Sequence, residues 1–174
     1  MRTARLTVAF ILALGGCSPD SGDPDLAALA SLNSQQKRSL SAWLKQYSAF
    51  RPASDNDCNC ADDLKEMRQQ GAWGHPVPGF QPYLKVGDFN HDDANDFAII
   101  AIQKSDPSKR RFLVFNGPFS GRTKPPVLNQ DVSPRTAIFY DPPEHPLVIG
   151  AFESEGCVIQ PKNLRYILDC DYGG

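Results

Sequence analysis

The sequence predicts an α+β fold, with N-terminal helices packed on a mainly antiparallel β-sheet. Three observations carry this expectation. Helical periodicity is confined to the residues before Gly71, and strand-like patterning fills most of the chain after Gln81. The connections between most strand-like runs are too short for crossover helices, so neighbouring strands should pair antiparallel.

The first helix rests on Leu40, Trp43, Leu44 and Tyr47, spaced i, i+3, i+4, i+7 on one stripe. Asn33 or Ser34 can cap it, and Gln36, three residues after Asn33, can complete a capping box. On this reading Trp43 and Tyr47 are core residues. Leu26–Leu32 adds a helical turn or two before it, and Pro52 closes the region. A second, short helix runs from Asp62 to Gln70 and stops at Gly71; Asp62 and Asp63 suit its N-terminal dipole. Residues 71–82 are rich in Gly, Pro and aromatics, an irregular loop that folds Trp73 and Phe80 onto the domain.

Strands follow at Tyr83–Val86, Asp96–Gln103, Arg111–Phe115, Ala137–Tyr140, Leu147–Phe152, Cys157–Gln160 and Leu164–Asp169. In the second of these, Phe97, Ile99 and Ala101 share one face and Ala98, Ile100 and Ile102 the other. Both faces are apolar, so it is a central strand covered on both sides. Phe112, Phe115, Phe139 and Tyr140 read as core. Asn116-Gly117-Pro118 is a turn, and Pro161-Lys162-Asn163 a hairpin turn joining the last two strands.

The extreme N-terminus has a different character. Arg2 and Arg5 precede an uninterrupted apolar run, Leu6–Leu14, followed by Gly15 and Gly16. Positive end, short apolar run and small residues are the layout of a secretory signal peptide. The run is too short to span a bilayer, which needs about 20 residues. Leu14-Gly15-Gly16-Cys17 resembles the bacterial lipobox. The resemblance implies cleavage after residue 16, diacylglycerol on the Cys17 sulfur, and acylation of the new amine. Ser18 in place of Asp implies sorting to the outer membrane, facing the periplasm. Residues 18–25 contain only Ser, Pro, Asp and Gly, a flexible tether reaching at most about 26–29 Å. The expected organisation is therefore residues 1–16 as signal peptide, 17–25 as lipidated Cys and tether, and 26–174 as one α+β domain.

Two of the 18 basic residues lie in the signal, leaving 16 against 20 acidic ones and a formal charge of −4. An acidic chain without a basic cluster is a poor nucleic-acid binder. The membrane is reached through the lipid anchor, and the other expected partner is an envelope protein or glycan. Beyond Cys17 the cysteines are Cys58, Cys60, Cys157 and Cys170. An even number in an exported chain reads as disulfides, with three possible connectivities. Cys157 and Cys170 flank one apparent hairpin; pairing them leaves Cys58 with Cys60 in a tight ring. Cross-pairing between the two regions remains the alternative.

The segment Val86-Gly87-Asp88-Phe89-Asn90-His91-Asp92-Asp93-Ala94-Asn95-Asp96-Phe97 carries the chemistry. Asp88, Asn90, Asp92 and Asp96 occupy positions 1, 3, 5 and 9 of a loop, and the Ala94 carbonyl sits at position 7. Calcium takes six to eight oxygen ligands in flexible geometry, and a loop of alternating oxygen donors can supply several. Carboxylates held ~4 Å apart repel by about 4 kcal/mol per pair at an effective dielectric of 20, so a closed loop of this kind favours a cation. GDFNHDDANDFAII resembles the calcium loop of FG-GAP and VCBS-type repeats. That resemblance implies a structural calcium ion on Asp88, Asn90, Asp92, Ala94 and Asp96. Asp93 stands where that family carries Gly, and Asp tolerates left-handed backbone angles. Position 12 is Ile99, so the loop is not of the EF-hand type. A single copy does not imply a propeller.

No GxSxG, HExxH, P-loop or dinucleotide fingerprint is present. The expected role is a non-enzymatic binding or accessory module of the envelope. The alternative is a small periplasmic hydrolase using His75 or His145 with nearby carboxylates. Cys58-Asn59-Cys60 is read as disulfide-forming rather than as a metal or thiol-exchange motif. His91 lies inside the calcium-type loop and should point outward.

Overall fold

A computed structural model describes residues 29–58, 60–71, 76–141, 145–152, 156–162 and 165–171. The expected signal, Cys17 and tether lie outside them, as do Trp73 and His75. In chain order the elements are α1 (Ser34–Gln46), β1 (Phe50–Pro52), a 3-10 turn at Asp55–Asp57, α2 (Ala61–Gln69), β2 (Leu84–Gly87), β3 (Asp96–Gln103), β4 (Asp106–Phe115), β5 (Leu128–Val132), β6 (Ala137–Asp141), β7 (His145–Gly150), β8 (Cys157–Lys162) and β9 (Arg165–Asp169).

The protein is mainly antiparallel β, with two α-helices among the described residues. Two sheets replace the one expected. The first has the order β1-β3-β4-β5, with β2 also on β3; the second runs β6-β7-β8-β9. The alternation along β3 explains the division. Ala98, Ile100 and Ile102 join Phe112 and Val114 of β4 in one core with Ile138, Leu147, Ile149, Ile159 and Tyr166 of the second sheet. Phe97, Ile99 and Ala101 join Leu113, Phe115 and, from α1, Leu40 and Trp43 in another cluster. Phe97 and Phe115, directly paired across β3 and β4, stack at 4.4 Å between centroids. Alternation in β6–β9 reads the same whether those strands extend one sheet or form another, so local pattern alone does not divide them.

α1 starts as its sequence requires. Asn33 Oδ1 accepts from the N–H groups of Gln35 and Gln36, and Gln36 Oε1 accepts from Asn33 N at 2.9 Å. The capping box is therefore complete. α2 begins one residue earlier than expected, and Gly71, at φ 77°, follows its C-terminus.

β1 and β5 have no counterpart in the sequence reading. β1 is three residues ending in Pro52, and β5 is an edge strand of polar composition, LNQDV. β1 and β2 lie on the same side of β3. Ile100 lies where they meet: its carbonyl accepts from Ala53 N and its N–H donates to the Tyr83 carbonyl, both at 2.9 Å. Pro161 and Lys162, expected in a turn, instead pair with Tyr166 and Arg165 in β8. Pairing between β7 and β8 is confined to Val158 and Cys157, so Pro161 faces a neighbour on one side alone, where a missing N–H is tolerated. Cys157 bonds to Cys170 with Cα atoms 4.0 Å apart, and Cys58 is joined to Cys60. The cross-pairing alternative is thereby removed.

An ion pair fastens the 3-10 turn. Arg51 Nη1 donates to Asp57 Oδ2 at 2.8 Å and Nη2 to Oδ1 at 2.6 Å. Ser54 donates to the same carboxylate from its N–H at 2.8 Å and its hydroxyl at 3.0 Å. Burial pushes the Asp57 carboxyl up, but Arg51 and Ser54 outweigh it and hold it below the usual range. A carboxyl with a depressed folded-state pKa stabilises the fold above the ordinary carboxylate range, and that contribution is lost as pH falls through the folded value. Urea melts from about pH 7 down to about pH 3 should lose stability on the acid side, and Asp57→Asn should flatten that loss. An unchanged profile in the variant would place the acid sensitivity elsewhere.

Candidate metal centre

β2 and β3 are adjacent antiparallel strands with Gly87 opposite Asp96, so residues 88–95 form the loop between them. Asp88 Oδ1 accepts from Asp92 N at 3.0 Å, and its Oδ2 from Asp93 N at 2.9 Å. Asn90 Oδ1 accepts from Asp92 N at 3.2 Å, and Asp92 Oδ1 from Ala94 N at 3.0 Å. The Asn90 amide donates to Asp92 Oδ2 at 3.0 Å. Each acceptor turns the backbone back on itself. The tightness shows in two left-handed residues, His91 at φ 59° and Asp93 at φ 63°. Asp93 thus holds a left-handed backbone that its side chain tolerates. The His91 residue is exposed, as expected. Desolvation pushes the Asp88 carboxyl up, but the N–H groups of Asp92, Asp93 and His91 outweigh it and hold it low.

Asp96 is placed differently from the other three. It is fully buried. Its Oδ1 accepts from Gly117 N at 2.7 Å; its Oδ2 accepts from Phe89 N at 3.0 Å and from the Tyr166 hydroxyl at 3.2 Å. Burial raises its pKa, against the pull of those three donors. A carboxylate has about four lone-pair directions, and three are occupied here. The structure therefore gathers Asp88, Asn90 and Asp92 on the exposed loop and turns Asp96 towards the second sheet. Among the described residues, no three His, Cys, Asp or Glu side chains converge as a metal-ligating group. The donor set on the loop is nonetheless all oxygen, the chemistry a hard divalent cation takes. A cation there would displace the Asn90 amide from Asp92 Oδ2.

Three residues outside the motif anchor the loop. Tyr166 of β9 reaches Asp96, and Tyr140 of β6 donates to the Asp88 carbonyl at 3.4 Å while meeting Phe89 edge-on at 4.9 Å. The Tyr140 ring lies so close to Gly87 that any side chain there would collide with it. Gly117 approaches as closely: a Cβ would fall 2.9 Å from the Ala94 Cβ and from the Asn95 carbonyl. Lys124 secures the Gly117 turn by donating to the Asn116 and Gly117 carbonyls at 3.2 and 2.8 Å. These partners lie 21 to 70 residues from the carboxyl groups or carbonyls they bind, beyond the reach of local pattern. The glycine at position 117 was the one visible signal.

Elsewhere, a groove of about 500 Å³ runs beside Asp55, Asn56, Arg68, Phe80, Gln81 and Tyr83. Arg68 closes one side by donating to Asp55 and to the Phe80 carbonyl. Of the histidines weighed for hydrolysis, His145 begins β7 with its backbone opposite Asp141, and His75 lies outside the described residues. Among the described residues no helix is long and apolar enough to cross a membrane. The chain matches no protein-family model, and no curated protein or solved structure is similar to it.

Proposed function

We propose that this protein is a lipid-anchored, non-enzymatic binding or accessory module of the bacterial envelope, with a structural calcium ion on the β2–β3 loop. The observation that carries the calcium assignment is the gathering of Asp88, Asn90 and Asp92 by a loop with left-handed residues at His91 and Asp93. The Ala94 carbonyl and the remaining lone pair of Asp96 complete the donor set. The anchor assignment rests on Leu14-Gly15-Gly16-Cys17. In this reading α1 covers the outer face of the first sheet through Leu40 and Trp43. The partner is an envelope protein or glycan, and the ion pins the junction between β2 and β3 rather than acting on a substrate.

Thermal melting of residues 18–174 without Cys17, disulfides intact, in calcium and in chelator, tests the site. At a hundredfold excess over the dissociation constant a ligand stabilises by about 2.7 kcal/mol. For a chain of this size that is a rise of about 5–10 °C. The rise should vanish in Asp88→Ala and Asp92→Ala. Absence of any rise at about 10 mM calcium, above the ~1 mM weak end of extracellular sites, would reduce the loop to a solvated turn.

A further inference from the structure

β9 is the outer strand of the second sheet and has no neighbour beyond it among the described residues. Proteins commonly blunt such edges with charge, Pro or bulges. Here the middle of the edge is Ile167, the one exposed large hydrophobic among the described residues, at 40 % exposure. The flanking residues are arranged symmetrically about it: Arg165-Tyr166-Ile167-Leu168-Asp169. We propose that β9 pairs antiparallel with β9 of a second copy of this chain, on a two-fold axis through Ile167.

Side-chain charge and backbone register both fit that occupant. Antiparallel pairing about Ile167 sets Ile167 against its own copy, Arg165 against Asp169 of the second copy, and Asp169 against its Arg165. All four charges then find opposite partners on one face. Without a second copy, Arg165 faces Lys162 across the β8–β9 hairpin. Like charges directly opposite one another are destabilising, and Arg165 has no carboxylate partner among the described residues.

The backbone is set for the same register. Pro161 has no N–H, so its pair with Tyr166 cannot be one that exchanges two hydrogen bonds. The groups of Ile167 therefore face Gln160 in β8, while those of Tyr166 and Leu168 face outward. In the paired dimer Tyr166 of each copy exchanges hydrogen bonds with Leu168 of the other. Ile167 then occupies the closer, non-bonded position, where its side chain meets its copy. Tyr166 and Leu168 already turn inward to the shared core, so pairing leaves that core undisturbed. The contact is short, so the dimer belongs to the weak class, populated at about 0.1–1 mM protein.

The test is charge reversal followed by mixing, read by sedimentation equilibrium of the full chain with disulfides intact. Wild type should dimerise across this range. Arg165→Asp brings carboxylates together and Asp169→Arg brings guanidinium groups together, so each alone should weaken self-association about tenfold or more. An equimolar mixture of the two variants restores every opposite-charge pair and should dimerise like wild type, as should the double variant. Circular dichroism and melting of each variant establish that it is folded, and recovery on mixing excludes simple damage to β9. A monomeric wild type at the highest concentration, dimers indifferent to both reversals, or a mixture no stronger than its components would each overturn the proposal.

Discussion

Asp96→Ala, melted in chelator, is expected to lose about 3–5 kcal/mol of stability. The substitution strands three donors: Phe89 N, Gly117 N and the Tyr166 hydroxyl. Each buried group left unpaired costs about 1–3 kcal/mol. The loss falls towards the lower part of the combined range because the alanine also removes a carboxyl that burial disfavours, as its raised pKa records. The Tyr166 hydroxyl can rotate to another acceptor, whereas the two N–H groups are fixed by β2 and the Gly117 turn. Asp96→Asn should recover little of the loss. Both carboxylate oxygens accept from backbone N–H groups, so either orientation of the amide sets a donor against a donor. Urea denaturation in chelator reads this without any contribution from calcium. A loss below about 1 kcal/mol would mean that the three donors are satisfied in another way.

Phe112→Ala is expected to cost a similar ~3–5 kcal/mol, by cavity formation instead of lost polar pairing. Phe112 is fully buried in β4, opposite Ile100, in the core shared by the two sheets. Space left there is walled by strands from both sheets, which cannot close over it without shifting a whole ladder. Ile100→Val, at the paired position, removes a single methylene and should cost only about 0.5–1.5 kcal/mol. Equal losses in the two variants would show that the sheets separate on a small perturbation and do not behave as one packed core.

Phe97–Ile102 is apolar throughout, and its two faces could be assigned residue by residue because a strand has a strict two-residue period. The cap was readable to within one residue, Asn33 or Ser34, since the oxygen that accepts and the amides that donate lie within three residues; the structure selects Asn33. The β2–β3 loop was located by its alternating oxygens, and Asp93 was rightly expected to tolerate a left-handed backbone. The direction of Asp96 was not legible: it is set by Gly117 and Tyr166, which the chain delivers from other strands. Nor was the split into two sheets, because a strand's pattern records that a face is covered and not by what. β5 escaped for the opposite reason. Its Asn129, Gln130 and Asp131 are exposed, so no apolar period marks it.

The meeting of β1 and β2 on the two backbone groups of a single residue, Ile100, has a topological consequence. Seen from β3 they are one edge with a break in it, although the chain between them runs from Ser54 to Pro82. That excursion leaves and returns at the same place, carrying α2 and the residues that line the groove. Shortening it or exchanging its side chains would alter the groove while leaving every rung between β3 and β4 in place. A one-residue deletion within β3, between Asp96 and Gln103, would shift the register of the central strand itself. The fold thus separates the β3–β4 frame from an excursion tied down by its own contacts, the Asp57 ion pair and the buried Leu64, Met67 and Phe80, and the groove belongs to the second.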